Sequence, residues 1–239
     1  MDGESYQRLT DRLRASLEND GRVLGLVALG SMSGAPPGPD AFSDHDFFVV
    51  TRPGEQERMR TDLSWLPDAQ QIAFAYRETA HGVSAITASG HLLEFAVFDL
   101  DELQLARVNR YRTLLDRGGV DERMRALRER TAAERREPDR AWLWGQFFTA
   151  LLVGAGRFRR GERLSGRALL LKAATQLAQL AGAGGDSLDP LRRVEARLPG
   201  LDAAFERPVP EGAAHLLAIA SRLPGFPQAA ARAIGPHLG

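Results

Sequence analysis

The sequence predicts an α+β fold, with a mixed β-sheet in its N-terminal part and a bundle of helices in its C-terminal part. Short β-branched or aromatic runs bounded by turn residues occupy five segments of the first hundred residues: 23–30, 45–51, 71–76, 83–87 and 92–98. After Asp99 the chain changes to long stretches rich in arginine, alanine and leucine, interrupted by glycine and proline, which is typical of packed helices. We therefore expect two domains, 1–103 and 104–239.

A helix is expected before the first strand, and a loop after it. Leu9, Leu13 and Leu17 recur every four residues and form an apolar stripe on a helix spanning residues 6–18. The segment 33–42 is rich in proline and glycine and is expected to be a loop that serves as a lid or as the edge of a substrate site.

Composition excludes several classes of protein. The chain has 239 residues, of which 44% are hydrophobic and 26% charged, so it can bury a sizeable core. It has no cysteine, which excludes disulfides and thiolate metal sites. The acidic start lacks the apolar region of a signal peptide, and the longest apolar stretch, 142–158, is too short to span a bilayer. We expect a core helix there, no membrane association and a cytoplasmic location.

A charge asymmetry separates the two halves. Residues 1–103 hold 8 arginines and 17 acidic residues, a net charge of −9, whereas residues 104–239 hold 23 basic and 14 acidic residues, a net charge of +9. An acidic part that collects a divalent cation and a basic part that holds an anionic substrate would explain this division. Two solvated surfaces that differ by chance remain the alternative.

Two aspartates mark the second predicted strand. Side chains at alternate positions of a strand project to one face, so Asp44 and Asp46 are expected on one side and His45 on the other. Two neighbouring carboxylates repel each other, and hard oxygen ligands of this kind suit Mg²⁺ beside substrate phosphates. Taken alone, the pair is better explained by two solvated acids at the start of a strand.

Two further features favour the metal interpretation. Gly30 and Ser31 end the preceding apolar run, where exposed backbone N–H groups and a hydroxyl can hold phosphate oxygens. Glu94 lies within an otherwise apolar run, 92–98, and a buried glutamate is costly unless it is paired or bound to a cation. With Asp44 and Asp46 it can surround one or two Mg²⁺ ions. A place on the solvent face of an edge hairpin is the alternative for Glu94.

This ordered set of residues, Gly30-Ser31, then Asp44-His45-Asp46, then Glu94 on a later strand, resembles the polymerase-β-like nucleotidyltransferase superfamily. Within it the chain is similar to small antibiotic nucleotidyltransferases, namely lincosamide enzymes of the LinB type and aminoglycoside relatives. The narrower likeness depends on chain length, on a small catalytic domain preceding a helical one, and on residues 142–180, where an aromatic helix, a basic turn and a second apolar helix follow one another.

The resemblance implies a role for each of these residues. Asp44 and Asp46 would bind Mg²⁺, Ser31 would contact a nucleotide phosphate, and Glu94 would be the third carboxylate or the general base for the acceptor hydroxyl. Residues 1–103 would form the catalytic domain and residues 104–239 a substrate- or nucleotide-binding bundle. The middle residue of the acidic motif is often apolar in this superfamily; here it is His45, which we interpret as structural.

Basic and aromatic residues of the second half give weaker signals. Lys172 is the only lysine and is a candidate triphosphate contact, although a solvated helix face explains it as well. Arg160, in a basic turn with Arg159 and Arg163, is a second candidate, and a solvated turn is the alternative. Five aromatic residues with helical spacing are expected in the core of the bundle: Trp142, Trp144, Phe147, Phe148 and Phe158.

The expected function is transfer of a nucleoside monophosphate, AMP from ATP in the first instance, to a hydroxyl of a small molecule such as an antibiotic, with release of pyrophosphate. The alternative is a nucleotidyltransferase-like antitoxin or a nucleotide-sensing interaction protein. Zero net charge argues against nucleic acid as the partner, although the basic second half leaves end modification open. A homodimer is left open.

Overall fold

The structure is a computed structural model that describes residues 2–34, 38–134, 136, 139–182 and 189–238. The chain divides into two compact units, Met1–Arg135 and Arg136–Gly239, and each is described by itself. Residues 35–37 of the expected lid segment lie outside the described residues.

The N-terminal unit alternates helices with the strands of one sheet. Its elements in chain order are α1 (Gly3–Glu18), β1 (Val23–Leu29), β2 (His45–Thr51), α2 (Gln56–Thr61), β3 (Ile72–Arg77), β4 (Gly82–Thr87), β5 (Leu92–Phe98), β6 (Tyr111–Asp116) and α3 (Val120–Ala133). The side chain of Asp2 caps α1 by accepting a hydrogen bond of 2.7 Å from the Ser5 backbone N–H. A short 3₁₀ turn, Gly30–Ser33, follows β1 directly.

The sheet is mixed, with the strand order β3-β4-β5-β2-β1-β6. Strand β2 runs parallel to β5, and the other four pairings are antiparallel. The central strands β1, β2 and β5 are therefore flanked on both sides and bury most of their residues, as their nearly continuous apolar runs require.

Each face of the sheet is covered by helices. Alternation along β2 sends Phe47 and Val49 into a core with Leu13 and Leu17 of α1. The opposite face packs against α3 in a second core, which includes Val27, Val50, Phe98, Val120 and Met124. Asp46 lies on this second face, because it alternates with Phe47 along the same strand.

The expected domain boundary near residue 103 differs from the division that the structure shows. Strand β6 pairs with β1 from Gly25 to Leu29, and α3 packs its buried residues Val120, Met124 and Leu127 against the sheet. The segment following residue 103 thus completes the N-terminal unit, which ends 32 residues later, at Arg135. The six residues of Tyr111–Asp116 do not alternate between apolar and polar and lie in an arginine-rich segment, so the sequence did not indicate a strand there.

The C-terminal unit is helical, which confirms the predicted α+β class. It contains α4 (Arg140–Arg159), α5 (Arg163–Leu180), α6 (Val209–Ala220) and α7 (Gln228–Ile234). Trp144, Phe147 and Phe148 are buried and contact one another through their rings, as expected. Trp142 was expected in this core and is instead 55% exposed, because the buried stripe of α4 runs through residues 143, 147 and 151. None of the described helices combines the length and the apolar character needed to cross a bilayer.

Close packing of α6 makes one glycine sensitive to substitution. A Cβ on Gly212 would overlap the Ala204 carbonyl oxygen, whereas a Cβ on Gly145 of α4 would have no neighbour within 4 Å. We expect Gly212→Ala to lower the free energy of unfolding by about 1–3 kcal/mol, the usual cost of overpacking. Gly145→Ala should raise it by up to about 1 kcal/mol, because alanine is the better helix former.

Thermal unfolding of the two variants beside the unmodified chain measures both effects. A Gly212→Ala variant as stable as Gly145→Ala would contradict the packing of α6 that the structure shows.

Candidate active site

The turn after β1 is built around a glycine in a left-handed conformation. Gly30 has φ of +45°, a value that an L side chain rarely adopts. A Cβ at this position would lie 3.3 Å from Oδ2 of Asp46 on the neighbouring strand β2. The backbone of the Gly30-Ser31 turn therefore passes directly beside the Asp46 carboxylate, and the predicted turn and the second predicted aspartate are neighbours.

The predicted carboxylates lie on one face of adjacent strands. In the parallel pairing of β2 with β5, Asp46 is the direct partner of Glu94, so their side chains project to the same side. Asp44 precedes β2 by one residue and shares the parity of Asp46. The two carboxyl groups of Asp44 and Glu94 are close enough for one of them, when protonated, to donate a hydrogen bond to the other. The prediction that Glu94 neighbours the aspartates on the sheet thus agrees with the strand order.

The crowding of carboxylates changes the acidity of Glu94. Burial raises the pKa of the Glu94 carboxyl, and the negative charges of Asp44 and then Glu78, together with the hydrogen bond to Asp44, raise it further. Each of these effects disfavours a charged Glu94 in the absence of a cation. A nearby positive charge would have the opposite effect on this pKa.

The described protein side chains alone do not form a complete metal site. Within the described part of the chain, no group of three or more histidine, cysteine, aspartate or glutamate side chains is arranged to hold a metal ion. Asp44 contacts Glu94, while Asp46 lies against Gly30. The donor set nevertheless fits Mg²⁺ chemically, because Mg²⁺ prefers oxygen ligands and commonly uses one or two carboxylates together with substrate phosphates. Its binding by Asp44, Asp46 and Glu94 stays a prediction.

Glu78 and Ser84 join this face, and sequence analysis did not identify them. Ser84 of β4 is the direct partner of Glu94 and is buried, and its hydroxyl donates a 2.9 Å hydrogen bond to Oε2 of Glu78. Tyr76 of β3 is in turn the partner of Ser84. Asp46, Glu94, Ser84 and Tyr76 consequently form one row across four strands. A serine within the apolar run 83–86 was the available signal for Ser84, whereas Glu78, in the turn before β4, gave none.

A buried pair of histidines lies on the face of β2 that packs against α1. His45 is fully buried, and its Nδ1 lies 2.7 Å from Nε2 of His91. Its Nε2 lies 3.0 Å from the Thr10 hydroxyl and 3.3 Å from the Tyr6 carbonyl oxygen, both on α1. Burial, and then the charge of His91, lower the pKa of His45 to about 4. His45 is therefore neutral near pH 7 and has a structural role, as the sequence indicated.

The two basic residues that the sequence singled out lie in the C-terminal unit. Lys172 of α5 is exposed and donates a 2.7 Å hydrogen bond from Nζ to Oε1 of Gln146 on α4. Arg160 follows the last residue of α4, and its Nε donates a 3.1 Å hydrogen bond to Oε1 of Glu162. Both side chains are engaged at the surface of their own unit. A nucleotide-binding role for them stays a prediction.

Distant structural neighbours are found among solved structures, and two of them are nucleotide-related proteins by their names. One is an aminoglycoside 6-adenyltransferase from Bacillus subtilis, at 12% identity and a TM-score of 0.32, with 97% of this chain and 90% of that one covered. The other is the CD-NTase CdnG of Bradyrhizobium diazoefficiens in complex with GTP, at 14% identity and a TM-score of 0.27, with 96% and 83% covered. No family model and no curated protein matches the chain.

The buried histidine makes stability depend on pH in a defined window. The pKa of His45 is about 4 in the folded chain and about 6.5 in the unfolded one, so only the unfolded state binds this proton between those values. Its contribution to stability is present above pH 6.5 and is lost as the pH falls to about 4, by roughly 3 kcal/mol in total. Below that pH both states are protonated and the contribution stays constant.

Hydrogen exchange of the β2 amides between about pH 4 and 7 measures this loss. In His45→Gln the exchange free energy should depend less steeply on pH than in the unmodified chain, whereas His237→Gln, an exposed site in the C-terminal unit, should preserve the steeper dependence. Identical pH dependences for the unmodified chain and His45→Gln would show that His45 is not held neutral.

Proposed function

We propose that the chain is a Mg²⁺-dependent nucleotidyltransferase, which moves a nucleoside monophosphate from a nucleoside triphosphate to a hydroxyl of a small molecule and releases pyrophosphate. The observation that carries the proposal is the contact of the Gly30 turn with the Asp46 carboxylate, next to the paired Glu94. A turn suited to phosphate and a cluster of carboxylates suited to a cation meet there on one face of the sheet.

The Gly30-Ser31 turn would bind the triphosphate. Without a side chain at Gly30, the backbone of the turn can come close to phosphate oxygens, and Ser31 adds a partly buried hydroxyl. ATP is the first candidate among the triphosphates. From the C-terminal unit, Lys172 and Arg160 are the proposed further nucleotide contacts.

The carboxylates would hold the cation together with the triphosphate. Mg²⁺ bound by Asp44, Asp46 and Glu94 would neutralise charge on the phosphates and on the leaving pyrophosphate. The raised pKa of Glu94 supports this assignment, because like charges that lack a cation account for part of that shift. A ligand set completed by substrate phosphates is also consistent with three carboxylates that do not close a site by themselves.

Glu94 has a second candidate role, toward the acceptor. The acceptor oxygen would attack the α-phosphorus, the bond from that phosphorus to the bridging oxygen would break, and pyrophosphate would leave. The proton of the acceptor hydroxyl would pass to Glu94, since a carboxylate of raised pKa is the stronger base. The side chains of Ser84 and the half-exposed Tyr76 continue the row beside Glu94 and provide a surface on which an acceptor can lie.

The proposed acceptor class and cellular compartment rest on the sequence. A hydroxylated antibiotic is the first acceptor to test, on the sequence resemblance, and other small hydroxylated molecules would suit the same site. The absence of cysteine is compatible with a reducing cytoplasm, which we propose as the location.

The metal assignment predicts a joint effect of Mg²⁺ and ATP on stability. Together they should raise the melting temperature, and either one alone should not, because each completes the binding site of the other. Asp46→Asn should remove the increase while leaving the melting temperature of the ligand-free protein within a few degrees. Asp11→Asn makes the same change on the exposed face of α1 and should keep the full increase.

Thermal scans of the three proteins with Mg²⁺, ATP, both or neither give the answer. A full increase in the Asp46→Asn variant would remove Asp46 from the metal site.

The chemical step is tested by pyrophosphate release with Mg²⁺, ATP and a panel of hydroxylated antibiotics and sugars. With an accepted substrate, Glu94→Gln should lower kcat by about 10²–10⁴-fold, the usual contribution of a general base, or by more if the metal is also lost. Glu129→Gln, on the exposed face of α3, should leave kcat unchanged.

Two results of this assay would count against the proposal. Full activity in Glu94→Gln would exclude Glu94 from the reaction. Nucleotide binding without pyrophosphate release, whichever acceptor is offered, would favour the nucleotide-sensing interaction protein.

A further inference from the structure

We infer that the hydroxyl of Tyr6, on the first helix, is a positioning group for the triphosphate site, holding Ser31 and the backbone of Asp44 at a fixed spacing. The inference rests on the proposed function, because it assigns Ser31 to a phosphate. It adds α1, an element outside the nucleotidyltransferase motif, to the parts that determine how that phosphate is bound.

Three contacts within hydrogen-bond distance link the turn, the helix and the carboxylate segment. The Tyr6 hydroxyl donates to the Asp44 carbonyl oxygen at 2.7 Å and lies 3.0 Å from Oγ of Ser31. Ser31 Oγ also lies within 3.4 Å of the same carbonyl oxygen. Ser31 and Asp44 are 13 positions apart in the chain, so the Tyr6 hydroxyl is a direct bridge between two separate segments.

The ring of Tyr6 is held firmly enough to act as a bridge. It is 2% exposed and packs in the core between α1 and the sheet. Its ring centroid lies 3.9 Å from that of His45, at an interplanar angle of 31°. A tyrosine hydroxyl keeps its hydrogen at neutral pH, so Tyr6 remains a donor.

Two hydroxyl hydrogens, one on Tyr6 and one on Ser31, serve these three contacts. Tyr6 has one hydroxyl hydrogen, and its short bond to the Asp44 carbonyl uses it. The single Ser31 hydrogen points either toward the Tyr6 hydroxyl oxygen or toward the Asp44 carbonyl oxygen, both within hydrogen-bond distance of Ser31 Oγ. To donate to a phosphate oxygen, Ser31 must turn its hydrogen outward.

Tyr6 can compensate for this change. Once the Ser31 hydrogen has turned outward, Ser31 Oγ can accept the hydrogen of the Tyr6 hydroxyl, 3.0 Å away. That hydrogen then moves to Ser31 from the Asp44 carbonyl oxygen, 2.7 Å from the Tyr6 hydroxyl. A serine that accepts one hydrogen bond is polarised and donates the next more strongly. Tyr6 would then act on the triphosphate through Ser31 without touching it.

A double-mutant cycle tests the inference with Mg²⁺·ATP as the probe. The dissociation constant is measured at equilibrium for the unmodified chain, Tyr6→Phe, Ser31→Ala and the double variant. Tyr6→Phe should weaken binding by about two- to tenfold, the range expected for one hydrogen bond. In the Ser31→Ala background the same change should have no further effect, because the path from Tyr6 to the phosphate is already cut.

Tyr111→Phe is the matched control, since it removes a hydroxyl that lies 3.5 Å from the Asp121 carbonyl oxygen at the start of α3. It should leave the dissociation constant unchanged. The melting temperatures of all variants show whether weaker binding of Mg²⁺·ATP comes from unfolding. Ser31→Ala removes the other hydroxyl of the Tyr6–Ser31 contact and does not alter the core.

The outcomes separate this inference from the proposed function. Equal affinity of the unmodified chain and Tyr6→Phe for Mg²⁺·ATP would overturn the inference alone. The same would follow if Tyr6→Phe weakened binding equally in the unmodified chain and in Ser31→Ala, because Tyr6 would then have a purely structural role. No binding of Mg²⁺·ATP by the unmodified chain would overturn the proposed function and the inference together.

Discussion

The parallel pairing of β2 with β5 is the constraint on which the candidate site depends. Because Asp46 is the direct partner of Glu94 in this pairing, two carboxylates from distant segments of the chain project side by side. A shift of one residue in the register would send one of them to the opposite face, among the apolar side chains that pack under α1. Phe47 and Phe95 fix the register, since they too are direct partners and stack at 5.2 Å on that face.

The two faces of β2 thus have separate tasks. One face places His45, Phe47 and Val49 in the core or in the buried histidine pair, and in this way attaches the strand to α1. The other face is left for Asp44 and Asp46, which border the Gly30 turn and Glu94. Carboxylates that repel one another remain together because the apolar face beneath them supplies the stability that their repulsion costs.

Much of this arrangement could be predicted from the sequence, because it is local. Alternation placed Asp44 and Asp46 on one face and His45 on the other, and glycine at position 30 signalled a turn that other residues cannot adopt readily. The remainder depends on contacts between segments distant in the chain. Neither the pairing of His45 with His91 nor the hydroxyl bridge of Tyr6 has a sequence signature, and the strand Tyr111–Asp116 was hidden in an arginine-rich segment.

The most direct test of the account asks whether the carboxylates and the triphosphate share one cation. Mn²⁺ can replace Mg²⁺ as a paramagnetic probe, with ATP and with protein whose aspartate and glutamate carboxyls carry ¹³C. Electron–nuclear double resonance should then detect both ³¹P of the nucleotide and ¹³C of the protein coupled to the same Mn²⁺, and Asp46→Asn should weaken the ¹³C coupling. A ³¹P coupling with no ¹³C coupling in the unmodified protein would mean that the nucleotide carries its cation without these carboxylates, and would contradict the account.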